Sequence, residues 1–433
     1  VLAGLPIGIR VGDVLAGDFG PEWGDVAGAP APSQPAGRAP GAAAPSPREC
    51  LRDRFHIGGG YTTAHTTLDY GRIVREGLAS VSRRAREHAP SLPDTQRASV
   101  ESMALAVEAV CAWAERYADL AEGLAARAVE SAERERLRRI AQACRHVPRE
   151  PARDLYEALQ SIWLVHAAIG ISELSQASLS LGCLDRYLWP LFATSADPDL
   201  VRAALRDFFG KLNRYGDPAA TLNLGGVGPD GADLFNPLSA LIVDTVAALR
   251  LPAPLLAARI HVRTPPAVFD CLTRPELIAL GQPTFYGEES CVAALLARGI
   301  PADRVQSWCA NSCMGLYMPG EEICDMWGGV VNLLVPLELA LNHGRPLRGE
   351  MPVALHTPPA TAQTLPELQA TLLAYTREFV DLVVQYNRDA TAWQARERPN
   401  PFLSALTADC LERGLDRAGG GARYYGVTVE AFG

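Results

Sequence analysis

The sequence has no basic surplus. Its 433 residues carry a formal charge of −9, and no Lys or Arg cluster interleaves with aromatic residues. Nothing in it offers the cationic stripe that neutralises phosphates, so nucleic acid is excluded as a partner. Long apolar runs are also missing. Stretches such as Val330–Val335 and Leu238–Leu249 are broken by Asn, Pro or Asp, well short of the ~20 residues of a membrane span. Val1–Leu15 holds Arg10 and Asp13 among its apolar positions and lacks a charged lead before an apolar block, so it does not read as a signal peptide. The expectation from these absences is a cytoplasmic protein, off the membrane. Its ten cysteines are then free thiols rather than a disulfide framework. No period of about 20–50 residues repeats, which excludes a solenoid.

Metal and phosphate motifs are incomplete. Cys309 and Cys313 are spaced like the first half of a radical-SAM cluster motif, but the third ligand position is Leu316 and Cys324 stands too far along. No metal site is expected. Gly225-Gly226-x-Gly228 is followed by no Lys-Ser/Thr pair, as a phosphate-binding loop would require.

What is present is apolar residue in quantity, 48% of the chain, enough for a large core. Residues 27–48 form a Pro/Ala/Gly tract with almost nothing to bury, which reads as a disordered linker between an N-terminal segment (1–26) and the main body (49–433). Helical spacing runs from Leu68 to Ala89 and from Asp94 to about Val147, with Leu105, Val107, Val110, Trp113, Tyr117 and Leu120 on one face. Another helix is expected from Pro151 through Leu155, Leu159, Ile162, Trp163 and His166. After about Ala219 short apolar strands alternate with helices. Thr221–Leu224, Leu255–Val262 and Pro283–Tyr286 read as strands, and Pro237–Leu249 (capped by Asn236), the stretch after Pro266, and Glu288–Arg298 as helices. This is α/β patterning: a helical layer at about 49–215, then strands and helices at about 216–433.

The informative stretch is 308–344, WCANSCMGLYMPGEEICDMWGGVVNLLVPLELALNHG. A cysteine stands in a Gly-, Pro- and Met-rich loop directly before an apolar helix expected to start near Val330. Irregular backbone inside an apolar body is costly unless function retains it.

Cys313, Gly320, Asn332-Leu333, Leu337-Glu338-Leu339 and Leu341-Asn342-His343-Gly344 resemble, in order and spacing, the Cys loop and following helix of the glycyl radical enzymes, the pyruvate formate-lyase-like group. Gly60–Gly77, Cys144–Trp163, Leu181-Gly182, Leu184–Leu188, Leu224–Gly226, Asn236–Ser239, Pro254 with Arg259 and His261, and Gly419–Tyr424 resemble further family segments. The resemblance implies a helical N-terminal layer packed on half of a ten-stranded α/β barrel with a central Cys loop. It also implies that Cys313 carries a thiyl radical that cleaves, eliminates from or adds to a small anionic organic substrate, with Cys309 in support. The Arg-Val-Ser/Ala-Gly-Tyr motif around the family's radical glycine does not occur, so the expectation is a chain truncated before that segment and inactive alone. No cofactor is expected to bind directly. A radical-SAM activating enzyme is the implied partner, and the protein is expected to be a homodimer. Alternatives are pyruvate formate-lyase proper and a non-catalytic fragment or partner subunit of an intact homologue.

The chain departs from the family where chemistry is set. Dehydratase and lyase members follow the cysteine with Val-Glu, whereas this chain has Met314-Gly315, and Ala177 stands where those members place a substrate-touching His. Candidate substrate-binding residues are Arg259 and His261, alternating on an expected strand, with Asp325, Glu321 and Glu322. The two adjacent glutamates are read either as acid/base groups or as a solvated turn. His166, on an apolar helix face, is read as a core histidine.

Overall fold

The computed structural model describes residues 2, 5–18, 46–59, 65–173, 179–215, 220–311, 315–359 and 361–432. Strands among these are β1 (Ile57–Gly59), β2 (Thr221–Gly225), β3 (Leu255–Ile260), β4 (Thr284–Gly287), β5 (Cys309–Asn311), β6 (Gly315–Tyr317), β7 (Glu322–Asn332) and β8 (Tyr424–Phe432). The chain divides into two compact units. One comprises Val1–Ala31, His65–Glu322 and Asn400–Arg423, and the other Pro32–Ala64, Ile323–Pro399 and Tyr424–Gly433. The second unit takes residues from three separate stretches, a division that composition alone does not mark.

The first unit is a helical layer on a parallel sheet. Helix Asp94–Arg127 buries Val107, Val110, Trp113 and Tyr117, but Leu105 is 73% exposed. The helical spacing expected to run on to Val147 breaks at Ala128, and a second helix starts at Ser131. The next helix runs Leu155–Glu173 rather than from Pro151, because Asp154 Oδ1 accepts from Glu157 N–H at 2.8 Å and caps it there. Trp163, Phe208 and Tyr215 pack as tilted and edge-on pairs in the resulting core, each worth about 2–3 kcal/mol of burial.

The sheet is built from β2, β3 and β4 in parallel, Thr221 opposite Leu255 and Ala257 opposite Thr284. Single parallel bridges extend it, Thr221 to Ser180 and Ser180 to Thr67. Five chain segments thus lie side by side in one direction. Helix Pro237–Leu249 is closed by a capping box at Asn236 with Pro237 in the first turn, as read from the sequence. At the end of β2, Gly226 takes φ +90°, and a Cβ there would stand 2.2 Å from Arg186 Nη2, so only glycine fits.

The N-terminal segment is locked to this unit. Ala16 and Gln160 exchange hydrogen bonds, and Asp207 accepts from the N–H groups of Val14 and Leu15. Lys211, the one lysine in the sequence, is fully buried, 3.1 Å from Asp13 Oδ2 and 3.6 Å from Asp18 Oδ1. Burial, with help from Asp18, pushes Asp13 up to about 6. Burial would raise Asp18 too, but its hydrogen bond with Asp13 and the charge of Lys211 outweigh it and bring Asp18 down to about 2.

The second unit has its own core, in which Leu51, Phe55, Ile57, Val331, Leu339, Tyr375, Phe379 and Val383 come together. Here the expected helix near Val330 is corrected. Val330 and Val331 pair with Gly58 and Ile57 as part of β7, and the helix is Leu334–Leu341. Most of the tract read as linker, residues 27–45, lies outside the described residues. Its last residues are structured: Ser46 forms the capping box of helix Pro47–Phe55, and Arg48 stacks on Tyr386 at 4.5 Å. The linker reading therefore stops at Ser46. Among the described residues no helix is long and apolar enough to cross a membrane.

Candidate active site

The stretch read as an irregular loop is a hairpin. Strand β5 pairs antiparallel with β6, Cys309 opposite Tyr317 and Asn311 opposite Gly315. Residues 312–314, with Cys313 and Met314, lie outside the described residues, as does Ala177. The two strands flank Cys313 in sequence, and their anchoring is what the structure specifies.

Three polar side chains hold β5. Asn223, in the middle of the fully buried strand β2, accepts from Ala310 N–H at 2.7 Å and donates to Ala310 C=O at 2.8 Å. Ser180 donates to the same carbonyl at 3.1 Å and lies 3.9 Å from Cys309 Sγ. Asn311 donates to Thr67 Oγ1 at 3.2 Å, and Thr67 C=O accepts from Gly320 N–H at 2.8 Å. The hairpin is thereby fixed to the sheet at both ends. Cys309 is completely buried. Burial, then the neighbouring Cys183, push its thiol well above the ordinary range, against the Ser180 hydrogen bond and Arg259. It is held as a neutral S–H.

Arg259 does not face a substrate. Its Nε and Nη2 both bond the carboxylate of Glu288, the Nε bond at 2.9 Å, while Nη1 donates to Trp308 C=O at 2.6 Å and to Cys183 Sγ at 3.5 Å. Nη2 also reaches Gln306 C=O at 3.4 Å. The guanidinium lies 4.1 Å from the Trp308 ring centroid, and the indole N–H returns to Glu288 at 3.2 Å. All five donors of the guanidinium are engaged, leaving none for an anion. The expected role in substrate binding is corrected to a clamp on the residue before Cys309. Strand β3 stops at Ile260, two residues short of expectation, and His261 turns toward Asp233. Its Nδ1 accepts from Arg263 N–H at 3.3 Å, so Nε2 donates to Asp233 at 2.8 Å. It too has a protein partner.

The adjacent glutamates separate. Glu321 pairs with Arg304 and, at 3.5 Å, with Arg423, on the wall of a cleft of about 290 Å³ that Asp69, Arg72 and Glu76 also line. Glu322 accepts from Met318 N–H at 3.2 Å, and burial, opposed by Arg298 and that bond, pushes its carboxyl up to about 7. It is the one of the pair suited to proton transfer near neutrality. Asp325 lies in β7, in the other unit, with its side chain outside the described residues. His166 is buried with its Nδ1 3.1 Å from Tyr70 Oη, the core role expected of it.

Sequence reasoning missed Ser180, Asn223 and Glu288. The signal for Asn223 was legible: an amide in the middle of a buried apolar strand demands a partner. Glu288 looked like an ordinary first-turn acid of its helix.

Comparisons with known proteins cover most of the chain. A family model described as Pyruvate formate lyase-like matches residues 55–433. The trans-4-hydroxy-L-proline dehydratase of Clostridioides difficile is 26% identical over 359 residues, 78% of this chain and 45% of the relative. The isethionate sulfite-lyase of Oleidesulfovibrio alaskensis is 24% identical over 377 residues, 80% of this chain and 46% of the relative. Among solved structures, a glycyl radical enzyme from Archaeoglobus fulgidus superposes with a TM-score of 0.77 at 24% identity, over 86% of this chain and 51% of its own. The chain spans about half the length of the relatives it matches, and its fold is theirs over that half.

Proposed function

Since the chain belongs to the pyruvate formate lyase-like family, we propose that it supplies the substrate-facing cysteine hairpin of a glycyl radical enzyme acting on a small anionic organic molecule. The glycyl radical, expected in a segment outside these residues, supplies the one-electron oxidation. Cys313 is the thiol that works on the substrate. As a thiyl radical it takes one hydrogen atom from a substrate C–H, forming S–H and leaving the unpaired electron on carbon. The same hydrogen returns to the product radical. Cleavage or elimination of a neighbouring bond takes place between these two transfers.

The observation that carries this reading is the anchoring of β5. Asn223, Ser180 and Thr67 hold the strand that precedes Cys313 in sequence on the parallel sheet, a fixed support of the kind that atom transfer over short distances requires. Buried Cys309 is kept as a neutral thiol, which can donate a hydrogen atom but not act as a thiolate nucleophile. Glu322 supplies a carboxyl able to exchange a proton near pH 7, a task for which the missing Glu after Met314 leaves a need. The activating partner is a radical-SAM enzyme.

The test compares Cys313→Ser with Cys309→Ser in the protein reconstituted with its radical-bearing portion and activase. Cys313→Ser is expected to abolish turnover while the glycyl radical signal in electron paramagnetic resonance persists; Cys309→Ser is expected to retain measurable turnover. Full activity of Cys313→Ser would overturn the assignment.

A further inference from the structure

A second guanidinium lies buried in the same unit without the partners that Arg259 has. Arg417 is 3% exposed, on the short turn Arg417–Gly419. Its Nη1 reaches Thr66 Oγ1 at 3.5 Å, while Nε and Nη2 find no hydrogen-bond acceptor among the described residues. Among the described residues no carboxylate stands within ion-pair distance of it. The acid beside it in sequence is already committed. Asp416 spends one oxygen on Asn400 N–H and the Ser404 hydroxyl and the other on Ala418 N–H.

A buried unpaired charge is costly, and proteins retain one where a ligand completes it. The unpaired atoms are the two whose N–H bonds run parallel on one edge of the guanidinium, the same edge that in Arg259 grips the two oxygens of Glu288. That fork fits two oxygens of one carboxylate, sulfonate or phosphate group. Its surroundings connect it to the cysteine hairpin. The carbonyl of Thr66 accepts from Ser180 N–H at 3.1 Å and lies 3.5 Å from Asn311 Nδ2, and Ser180 and Asn311 are two of the groups that hold β5.

We propose that Arg417 binds the acid group of the substrate, a carboxylate, sulfonate or phosphate, through its Nε and Nη2 edge, and so selects for small organic acids beside the cysteine hairpin. The identification of that ligand as substrate rests on the function proposed above; the binding itself does not, because it requires no radical.

The experiment measures thermal unfolding and titration calorimetry of the whole chain with acetate, methanesulfonate or methylphosphonate, against sodium chloride at matched ionic strength. At least one probe is expected to raise the melting temperature by about 2–4 °C, and the three arms rank the acid groups. Arg417→Lys, which keeps the charge and loses the fork, is expected to bind that probe at least about tenfold more weakly. Arg417→Met is expected to lose the response while melting no lower than the parent protein without anion. No response of the parent chain to any probe beyond chloride would overturn the proposal, as would an undiminished response in Arg417→Lys. Cys313→Ser should bind as the parent does. Anion binding through Arg417 in a protein whose reconstituted form needs no Cys313 would sink the catalytic reading and leave this one standing.

Discussion

Arg259 and Arg417 are buried to the same degree, 2% and 3% exposed, in one compact unit, yet their surroundings differ in kind. Around Arg259 the protein supplies a carboxylate, two carbonyls, a thiol and an indole face. Around Arg417 the described residues supply one hydroxyl at 3.5 Å. Burying a cation removes its hydration in both cases, so the difference lies in what replaces the water. The first arginine has been absorbed into the architecture and acts on the Trp308 carbonyl. The second keeps its recognition edge without an acceptor among the described residues.

The comparison breaks first at Arg259. Arg259→Met leaves Glu288 as a buried unpaired acid and frees the Trp308 carbonyl, and a loss of about 3–5 kcal/mol in denaturant-monitored unfolding is expected. A loss below about 1 kcal/mol would mean that the clamp does not hold the β5 segment. Glu288→Ala makes Arg259 resemble Arg417, at a similar cost of about 3 kcal/mol, and added formate should recover part of the lost stability because the fork is vacated. Without such rescue, the pairing of forks with oxoanions that underlies the comparison fails.

Asn223→Ala is the next largest, because it strands the N–H of Ala310 inside the protein, at about 1–3 kcal/mol when buried without a partner, and leaves the Ala310 carbonyl to Ser180 alone. Unfolding midpoints measure it, and hydrogen exchange at Ala310 should accelerate with it. Glu322 extends the comparison to an acid. Its carboxyl rises from 4.5 in the unfolded chain to about 7 in the fold, so the stability it contributes is intact below about 4.5 and is lost as pH rises through 7. Up to roughly 3 kcal/mol is involved at 1.36 kcal/mol per pKa unit. Glu322→Gln should flatten the pH dependence of the melting temperature between those limits; an unchanged profile would place the carboxyl in water. The smallest effect belongs to Arg417→Met, which should leave stability without anion unchanged or raised by about 1 kcal/mol.

Much of the fold was legible because it is encoded locally. Asn236-Pro237 announces its helix, and the strands β2, β3 and β4 follow from short apolar runs after turn residues. The errors occurred where partners distant in sequence decide the outcome. Cys309–Asn311 is three residues long and becomes a strand because Asn223 and Ser180 grip its backbone, which no periodicity within it reveals. Val330 and Val331 have helix-compatible neighbours but pair with Gly58 and Ile57, more than 270 positions earlier in the chain. The candidate residues divide the same way. Arg259 was noticed for its type and alternation, but its role depended on Glu288, a residue that reads as an ordinary helix start. Arg417 gave no signal at all, since Asp-Arg-Ala-Gly reads as a polar surface turn, and only its burial sets it apart.

Having a single lysine, sealed between Asp13 and Asp18, gives the molecule a built-in chemical reporter. Lysine-directed acylating reagents have one side-chain target in the chain, and they meet it only when Leu5–Asp18 detaches from helix Pro198–Arg214. Mass spectrometry of the labelled peptide would therefore time the opening of that one contact in otherwise unmodified protein. Surface attachment through lysine, by the same logic, would select for molecules whose N-terminal segment has already come loose.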